Sequence, residues 1–143
     1  MNQTVSSPQV SVIVPVYNEE ENVPILQAEL RAALRAIDHE LIFVDDGSAD
    51  RTVERIETEP NLRVIRFEKN AGQSAAMYAG LQAAQGAILV LIDGDLQNDP
   101  ADIPKLLGEI SNGADLVCGY RALRRDTRVK RLTSRVANVV RSR

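Results

Sequence analysis

Two carboxylates and an amide follow closely on the most apolar stretch of the chain. Asp93 directly follows the run Ile88–Ile92, Gly94 separates it from Asp95, and Gln97 comes two residues after Asp95. Carboxylates two residues apart at a strand end can point to one side, and a glycine between them lets a ligand approach the backbone. Such hard oxygen donors suit Mg²⁺ or Mn²⁺ that is shared with substrate phosphates. The alternative is a solvated Asp-Gly turn without a ligand.

A second acidic pair, Asp45 and Asp46, ends another apolar stretch. Here an N-cap and turn is an equally good interpretation, with Asp46, Ser48 or Asp50 capping a following helix, and both roles can hold together. The chain has no G-x-G-x-x-G motif after its first apolar run and no G-x-x-x-x-G-K-[ST] motif anywhere. A dinucleotide-dependent oxidoreductase and a P-loop NTPase are therefore disfavoured.

The elements that must position these residues alternate between strand and helix. Apolar runs predict strands over Val10–Val16, Leu41–Val44, Leu62–Phe67, Ala87–Ile92 and Asp115–Cys118. Helical spacing and end signals predict helices from Asn22 to Ile37, near Thr52–Glu57, over Gly72–Ala84 and over Pro100–Ile110. This alternation indicates an α/β fold, with a Rossmann-like, mostly parallel sheet and helices on both faces.

The polar clusters fall where such a sheet binds its ligands. Ligands of open parallel sheets lie at the carboxyl ends of the strands. Tyr17-Asn18-Glu19 follows the first predicted strand, Asp45-Asp46 the second and Asp93-Gly94-Asp95 the fourth. We therefore expect one site that draws on three strand ends.

Composition excludes several classes of protein. The chain has 143 residues, of which 44% are apolar, and it contains no apolar run long enough for a membrane span and no secretory signal over Met1–Gln9. The single cysteine, Cys118, excludes an internal disulfide framework, and the single histidine, His39, excludes a multi-histidine metal site. We expect a cytosolic protein, with Cys118 packed in the core and His39 exposed in a loop.

Charge is divided unevenly along the chain. Residues 1–120 carry 8 basic and 19 acidic residues, a net −11, whereas residues 121–143 carry 9 basic residues against Asp126, a net +8. The basic end is either a solvated helix face or a surface for anionic lipid or phosphate. Nucleic acid is disfavoured as a partner, because the rest of the chain is acidic and only three Tyr and two Phe are available for stacking on bases.

Several motifs, in order, resemble the family 2 inverting glycosyltransferases, which have the GT-A nucleotide-sugar fold. The matching stretches are Val10–Glu19, Phe43–Thr52, Asn70–Gly72 and Asp93–Pro100, and the resemblance spans residues 10 to about 138. The D-x-D-L-Q-x-x-P form is similar to the branch that glycosylates polyprenyl phosphates, such as dolichol-phosphate mannose synthase. The turn Gly119-Tyr120-Arg121 is similar to that branch too.

The resemblance implies a donor pocket built from the strand ends. Pro15, Tyr17 and Glu19 would line the nucleotide pocket, and Asp46 would accept a hydrogen bond from the base. Asp93 would stand beside the nucleotide-sugar. The base itself stays open between uracil and guanine, because backbone groups would distinguish UDP from GDP.

The resemblance also implies a metal site and an acceptor site. Asp95 and Gln97 would bind the Mg²⁺ or Mn²⁺ that bridges the diphosphate, so that Asp93 and Asp95 form the catalytic pair. Arg121 would hold the acceptor phosphate, together with some of Arg128, Lys130 and Arg131. The metal would neutralise the charge that develops on the nucleoside diphosphate.

The activity implied is transfer of a sugar, with inversion, from a UDP- or GDP-linked donor to undecaprenyl or dolichyl phosphate at the cytoplasmic face of a membrane. A phosphate acceptor is already ionised at neutral pH, so it requires no strong general base. Two alternatives are a family 2 enzyme that glycosylates a saccharide hydroxyl in cell-envelope polysaccharide synthesis and an inactive nucleotide-binding fragment. A phospho-receiver domain is disfavoured, because its acidic pair should follow the first strand.

The segments expected are a flexible N-terminus over residues 1–9, a nucleotide-sugar-binding domain over 10–120 and a basic amphipathic segment over 121–143. The resemblance implies that the catalytic domain continues beyond residue 143, so we expect a truncated chain that transfers sugar poorly. The apolar stripe of the basic segment includes Val129, Leu132 and Val136. We expect this stripe to drive self-association and the basic charges to face an anionic membrane.

Overall fold

The computed structural model describes residues 8–119 of the chain. Four strands form one sheet: β1 (Val10–Val16), β2 (His39–Asp45), β3 (Leu62–Arg66) and β4 (Ile88–Leu91). All neighbouring strands are parallel, and their order across the sheet is β3-β2-β1-β4. The predicted parallel α/β sheet is confirmed.

Helix α1 (Val23–Leu34) connects β1 to β2, helix α2 (Gln73–Ala83) connects β3 to β4, and helix α3 (Ile103–Ser111) follows β4. A single turn of 3-10 helix at Val53–Arg55 lies between β2 and β3, and another at Pro100–Asp102 leads into α3. The helix predicted near Thr52–Glu57 is therefore only one such turn. The longest helix within residues 8–119 has 12 residues, and none of those described could cross a bilayer.

The two central strands, β1 and β2, end side by side, so the polar residues that follow each of them lie at the same edge of the sheet. Every residue of β1 is buried, as is typical of a β-branched strand covered on both faces. β1 pairs with β2 in register, from Val10 opposite His39 to Val16 opposite Asp45. Because the paired strands end together, the residues that follow them emerge side by side at the carboxyl edge.

Helices cover both faces of the sheet, as predicted. On one face, Val12 and Val14 of β1 belong to a core with Leu26 and Leu30 of α1, which also includes Ile103 at the start of α3. On the other face, α2 packs closely on β1 and β2. A Cβ atom added at Gly80 of α2 would lie 2.3 Å from Cγ2 of Ile13, so the helix approaches the sheet to a distance that only glycine permits.

The prediction of a fifth strand over Asp115–Cys118 is wrong. Leu116 is 81% exposed, and Cys118 is exposed as well, which also contradicts its expected place in the core. A short apolar stretch becomes a strand only where a neighbour pairs with its backbone. No strand within residues 8–119 pairs with this stretch.

Two local expectations, one for His39 and one for Asn22, also need correction. His39 is the first residue of β2 and is half-buried, so it does not lie exposed in a loop. Its ring Nδ1 lies 2.7 Å from the carbonyl oxygen of Ile37. Asn22 occupies the N-cap position of α1, but its side chain donates to the carboxylate of Glu19 rather than accepting a bond from the helix.

Candidate functional site

The carboxyl edge of the sheet gathers the residues that the motifs singled out. Tyr17 follows β1 and is 46% exposed, Asp46 follows β2 and is 3% exposed, and Asp93 lies half-buried two residues beyond β4. The three strands are neighbours in the sheet. Pro15 is buried within β1, and Glu19 is half-buried in the loop after it.

The loops after β1 and β2 are bound to each other by hydrogen bonds in both directions. The backbone N–H of Asn18 donates to Oγ of Ser48 at 2.8 Å, and the Asn18 side chain accepts from the N–H of Ala49 at 2.9 Å. The N–H of Glu19 donates to Oγ1 of Thr52 at 2.8 Å. Asn18 has a positive φ of 55°, a conformation that asparagine tolerates better than most residues. These bonds fix the backbone that presents Tyr17.

Asp45 is fully buried, and its carboxylate contacts the backbone of the loop after β2. Both of its carboxylate oxygens lie within hydrogen-bond reach of the N–H of Ser48, at 3.2 and 3.3 Å. The guanidinium of Arg66, at the end of β3, lies 3.4 Å from its Oδ2 and offsets the buried charge. Arg66 also lines a cleft of about 360 Å³ with Gly47 and Phe67.

Asp46 connects the loop after β2 to the start of α2. Its Oδ1 accepts from the N–H of Ala71 at 2.7 Å, and its Oδ2 accepts from the N–H of Gly72 at 2.9 Å. Both oxygens therefore contact the backbone that precedes Gln73, the first residue of α2. The expected cap of the turn directly after β2 is not made by Asp46.

Asp50, another of the three residues expected to cap this turn, makes the bonds that Asp46 does not. Its carboxylate accepts from the N–H of Thr52 at 2.9 Å and from the N–H of Glu20 at 3.2 Å. Burial raises the pKa of Asp50, but the Thr52 hydroxyl and these backbone amides donate to the carboxylate and hold its pKa below the ordinary value. The charged form of Asp50 thus stabilises the contact between the loops after β1 and β2.

The loop after β4 is built differently. The Gln73 side chain donates from Nε2 to Oδ1 of Asp93 at 2.7 Å, and Asp95 accepts a bond from the backbone N–H of Gln97 at 3.1 Å. Within residues 8–119 neither Asp93 nor Asp95 forms an ion pair. Leu96, between Asp95 and Gln97, has a positive φ of 58°, an uncommon conformation that clusters at functional sites.

A family model describes nearly the whole chain. The model for glycosyl transferase family 2 matches residues 11–139, a range that includes every loop of the carboxyl edge. The chain belongs to glycosyl transferase family 2. The likeness therefore extends well beyond the acidic motif after β4.

Two bacterial proteins are similar to this chain over most of its length. Undecaprenyl-phosphate 4-deoxy-4-formamido-L-arabinose transferase of Pectobacterium carotovorum is 40% identical over 138 residues, which cover 92% of this chain and 42% of that protein. Dodecaprenyl-phosphate galacturonate synthase of Rhizobium johnstonii is 41% identical over 133 residues, which cover 87% of this chain and 39% of that protein. The chain thus spans about two fifths of the length of these relatives.

A solved glycosyltransferase structure carries the same fold. Glucosyl-3-phosphoglycerate synthase of Mycobacterium tuberculosis, in complex with Mn²⁺, UDP-glucose and phosphoglyceric acid, superposes with a TM-score of 0.62 and 29% identity. The match covers 74% of this chain and 40% of that chain. The fold is therefore of the GT-A type, and the chain corresponds to the N-terminal part of such enzymes.

The side-chain oxygens in the loop after β4 fit the divalent metal that the family 2 resemblance implies. Asp93 and Asp95 supply two partly exposed carboxylates with no neutralising cation among the described side chains, and Gln97 adds an amide oxygen nearby. Mg²⁺ and Mn²⁺ favour a few such oxygens because they retain water or phosphate as further ligands. No cluster of three or more acidic, histidine or cysteine side chains with metal-binding geometry occurs in residues 8–119.

Sequence reasoning missed two side chains at this edge of the family 2 fold, Arg66 and Gln73. Gln73 directly follows the Asn70-Ala71-Gly72 motif, so its position beside a matched motif was the available signal. Arg66 ends a strand with weak alternation and carried no signal of its own. The residues predicted to bind the acceptor phosphate, namely Arg121, Arg128, Lys130 and Arg131, lie outside the described residues.

Proposed function

We propose that this protein transfers a sugar from a nucleoside-diphosphate donor to a polyprenyl phosphate, with inversion at the anomeric carbon. The observation that carries the proposal is the meeting of three polar loops, after β1, β2 and β4, at one edge of a parallel sheet. Relatives at about 40% identity whose names contain undecaprenyl phosphate or dodecaprenyl phosphate support this acceptor class.

The donor would bind across the ends of β1, β2 and β4. Tyr17 is exposed enough to contact a base, and Pro15 and Glu19 shape the same loop. Asp46 already accepts two backbone bonds, and each carboxylate oxygen retains a second lone pair for the base. Asp93 would lie next to the sugar and the diphosphate.

Asp95 and Gln97 would hold Mg²⁺ or Mn²⁺ with the diphosphate of the donor. The ion, when bound, would offset the negative charge that accumulates on the departing nucleoside diphosphate. The uncompensated charge of Asp93 and Asp95 would attract the cation and repel an unaccompanied diphosphate. Nucleotide binding should therefore depend on a divalent cation.

The acceptor side would be built by the basic segment. Arg121, Lys130 and Arg131 would contact the acceptor phosphate, and the surplus of positive charge over residues 121–143 would favour an anionic membrane surface on the cytoplasmic side. A phosphate oxygen can attack the anomeric carbon without prior deprotonation, so no general base is assigned. We also propose that the apolar stripe of this segment pairs with a second copy of the chain.

Calorimetric titration with UDP and with GDP, each with and without Mn²⁺, tests the donor half of the proposal. We expect one of the two nucleotides to bind, and to bind only with the metal. Transfer of radiolabelled sugar into organic-extractable, acid-labile lipid tests the acceptor half, with polyprenyl phosphate as acceptor and the matching polyprenol as control. Label that enters the polyprenol equally would contradict a phosphate acceptor.

A further inference from the structure

One hydrogen bond joins two elements that are far apart in the sequence at the carboxyl edge. Nε2 of Gln73, the first residue of α2, donates to Oδ1 of Asp93 at 2.7 Å. The bond crosses the boundary between a helix and the loop after β4. The roles proposed above do not involve Gln73.

The backbone on the Asp93 side of this bond has little room to shift. A Cβ atom added at Gly94 would lie 2.8 Å from Cγ1 of Val16 and 3.1 Å from the carbonyl oxygen of Pro15. Only a glycine allows this close approach of the loop to β1. Asp93 is therefore held against the end of β1 by its immediate neighbour.

The backbone on the Gln73 side is held equally well. Asp46 accepts the N–H groups of Ala71 and Gly72, the two residues before Gln73. Further along α2, Gly80 packs directly on Ile13 of β1. Since the backbone is held in place on both sides, the bond limits the side-chain conformations that Asp93 can adopt.

The chemistry of the Gln73 amide, which donates the hydrogen bond to Asp93, matters as much as its position. A glutamine amide orients a carboxylate without cancelling its charge, whereas a lysine or arginine would form an ion pair and neutralise it. We propose that Gln73 is a positioning residue for donor binding: it fixes the carboxylate of Asp93 toward the nucleotide-sugar and leaves the full negative charge next to the metal site. This inference rests on the proposed function of Asp93.

The test is calorimetry of UDP and GDP with Mn²⁺ on the full chain, with Gln73→Ala, Gln73→Glu and the control Gln82→Ala. Gln82 is an exposed glutamine near the other end of α2. We expect the nucleotide that binds to bind about tenfold more weakly to both Gln73 variants, as befits a lost bond to a charged group at a partly exposed site. Gln82→Ala should bind like the wild type.

Gln73→Glu separates positioning from a merely structural role. A glutamate in the first turn of a helix is favourable, and this gain offsets the repulsion between its carboxylate and that of Asp93. The melting temperature of Gln73→Glu should therefore stay close to that of the wild type while nucleotide binding falls. On an Asp93→Ala background, the Gln73→Ala change should have no further effect, because the acceptor of its bond is gone.

The outcomes distinguish this inference from the proposal on which it rests. A wild-type chain that binds neither nucleotide with Mn²⁺ would overturn the proposed function and this inference together. A wild-type chain that binds, with Gln73→Ala and Gln73→Glu binding equally well, would overturn the role of Gln73 alone. Weaker binding that persists in full on the Asp93→Ala background would also overturn it.

Discussion

Asp45 ends β2 and Asp46 follows it, much as Asp93 and Asp95 follow β4, but the carboxylates of the two pairs have different surroundings. Asp45 and Asp46 are buried, and their oxygens contact backbone amides and Arg66. Asp93 and Asp95 are partly exposed and form no ion pair among residues 8–119. The first pair holds the protein backbone in place, and the second pair remains available to an incoming cation or ligand.

The largest expected effect comes from Asp95→Asn. The change keeps the shape of the side chain and removes one charge from the proposed metal ligands, so Mn²⁺-dependent nucleotide binding should weaken by about 2–3 kcal/mol. Thermal stability should hardly change. Calorimetry and a melting curve measure the two quantities.

Asp102→Asn is the matched control for Asp95→Asn, since Asp102 lies on the surface in an exposed pair with Lys105. The control should bind nucleotide like the wild type. If Asp95→Asn binds nucleotide in Mn²⁺ as tightly as the wild type, Asp95 is not a metal ligand. The proposed difference in role between the two acidic pairs would then be wrong.

Asp46→Ala should act on folding first. The variant loses two charge-assisted bonds to Ala71 and Gly72, and because these amides are partly open to water we expect a loss of about 1–2 kcal/mol in the free energy of unfolding. Nucleotide binding to the folded fraction should also weaken, with the apparent Mn²⁺ affinity unchanged. Earlier melting with full nucleotide affinity would restrict Asp46 to its structural role.

Carboxylates that the protein surrounds with donors should also govern acid stability. Glu40, near the amino end of β2, accepts from Oγ of Ser11 at 2.6 Å, from the N–H of Gln85 at 2.7 Å and from Arg63. Burial raises the pKa of Glu40, but these donors outweigh burial and hold the pKa below its ordinary value. The stabilisation is complete above the unfolded pKa of about 4.3 and is lost as the pH falls through the folded pKa.

Glu40→Gln should therefore destabilise the protein by about 1 kcal/mol near neutral pH and flatten the dependence of unfolding free energy on pH in the acid range. Urea titrations at several pH values between about 3 and 7 measure both effects. If the variant and the wild type lose stability in parallel as the pH falls, Glu40 does not supply this acid sensitivity.

The smallest expected effect is that of Gln97→Ala on nucleotide binding with Mn²⁺. A neutral amide oxygen is a weaker partner for a cation than a carboxylate, so the loss should be about 1 kcal/mol or less. Calorimetry next to Asp95→Asn shows the order of the two effects. If Gln97→Ala loses more binding free energy than Asp95→Asn, the proposal that Asp95 is the stronger metal ligand is wrong.

Much of this fold follows from short-range patterns in the sequence. The valine-rich run over Val10–Val16 and the spacing of Leu26, Leu30 and Leu34 predicted β1 and α1 correctly, because burial on both faces and helical periodicity leave clear patterns. Asp115–Cys118 has a strand-like composition but lacks a paired neighbour in the described structure. Local composition cannot report whether such a partner is present.

The candidate site could be predicted less fully than the fold. Motif order placed Tyr17, Asp46 and Asp93 at one edge, but it did not distinguish an Asp46 that holds the start of α2 from one that is open to a ligand. The bond between Gln73 and Asp93 joins residues twenty positions apart, and its geometry depends on how α2 packs on the sheet. Such contacts are set by tertiary packing, which one sequence does not display.

The close packing of α2 on the sheet limits which substitutions can make this protein more heat-resistant. Exchanging a helical glycine for alanine is a common choice, worth about 1 kcal/mol where the site tolerates a methyl group. At Gly80 the new methyl carbon would be forced into Ile13, so overpacking should reverse the gain. Among residues 8–119, no atom of a neighbouring residue lies within 4 Å of a Cβ added at Gly108 of α3, and this is the helical glycine to choose.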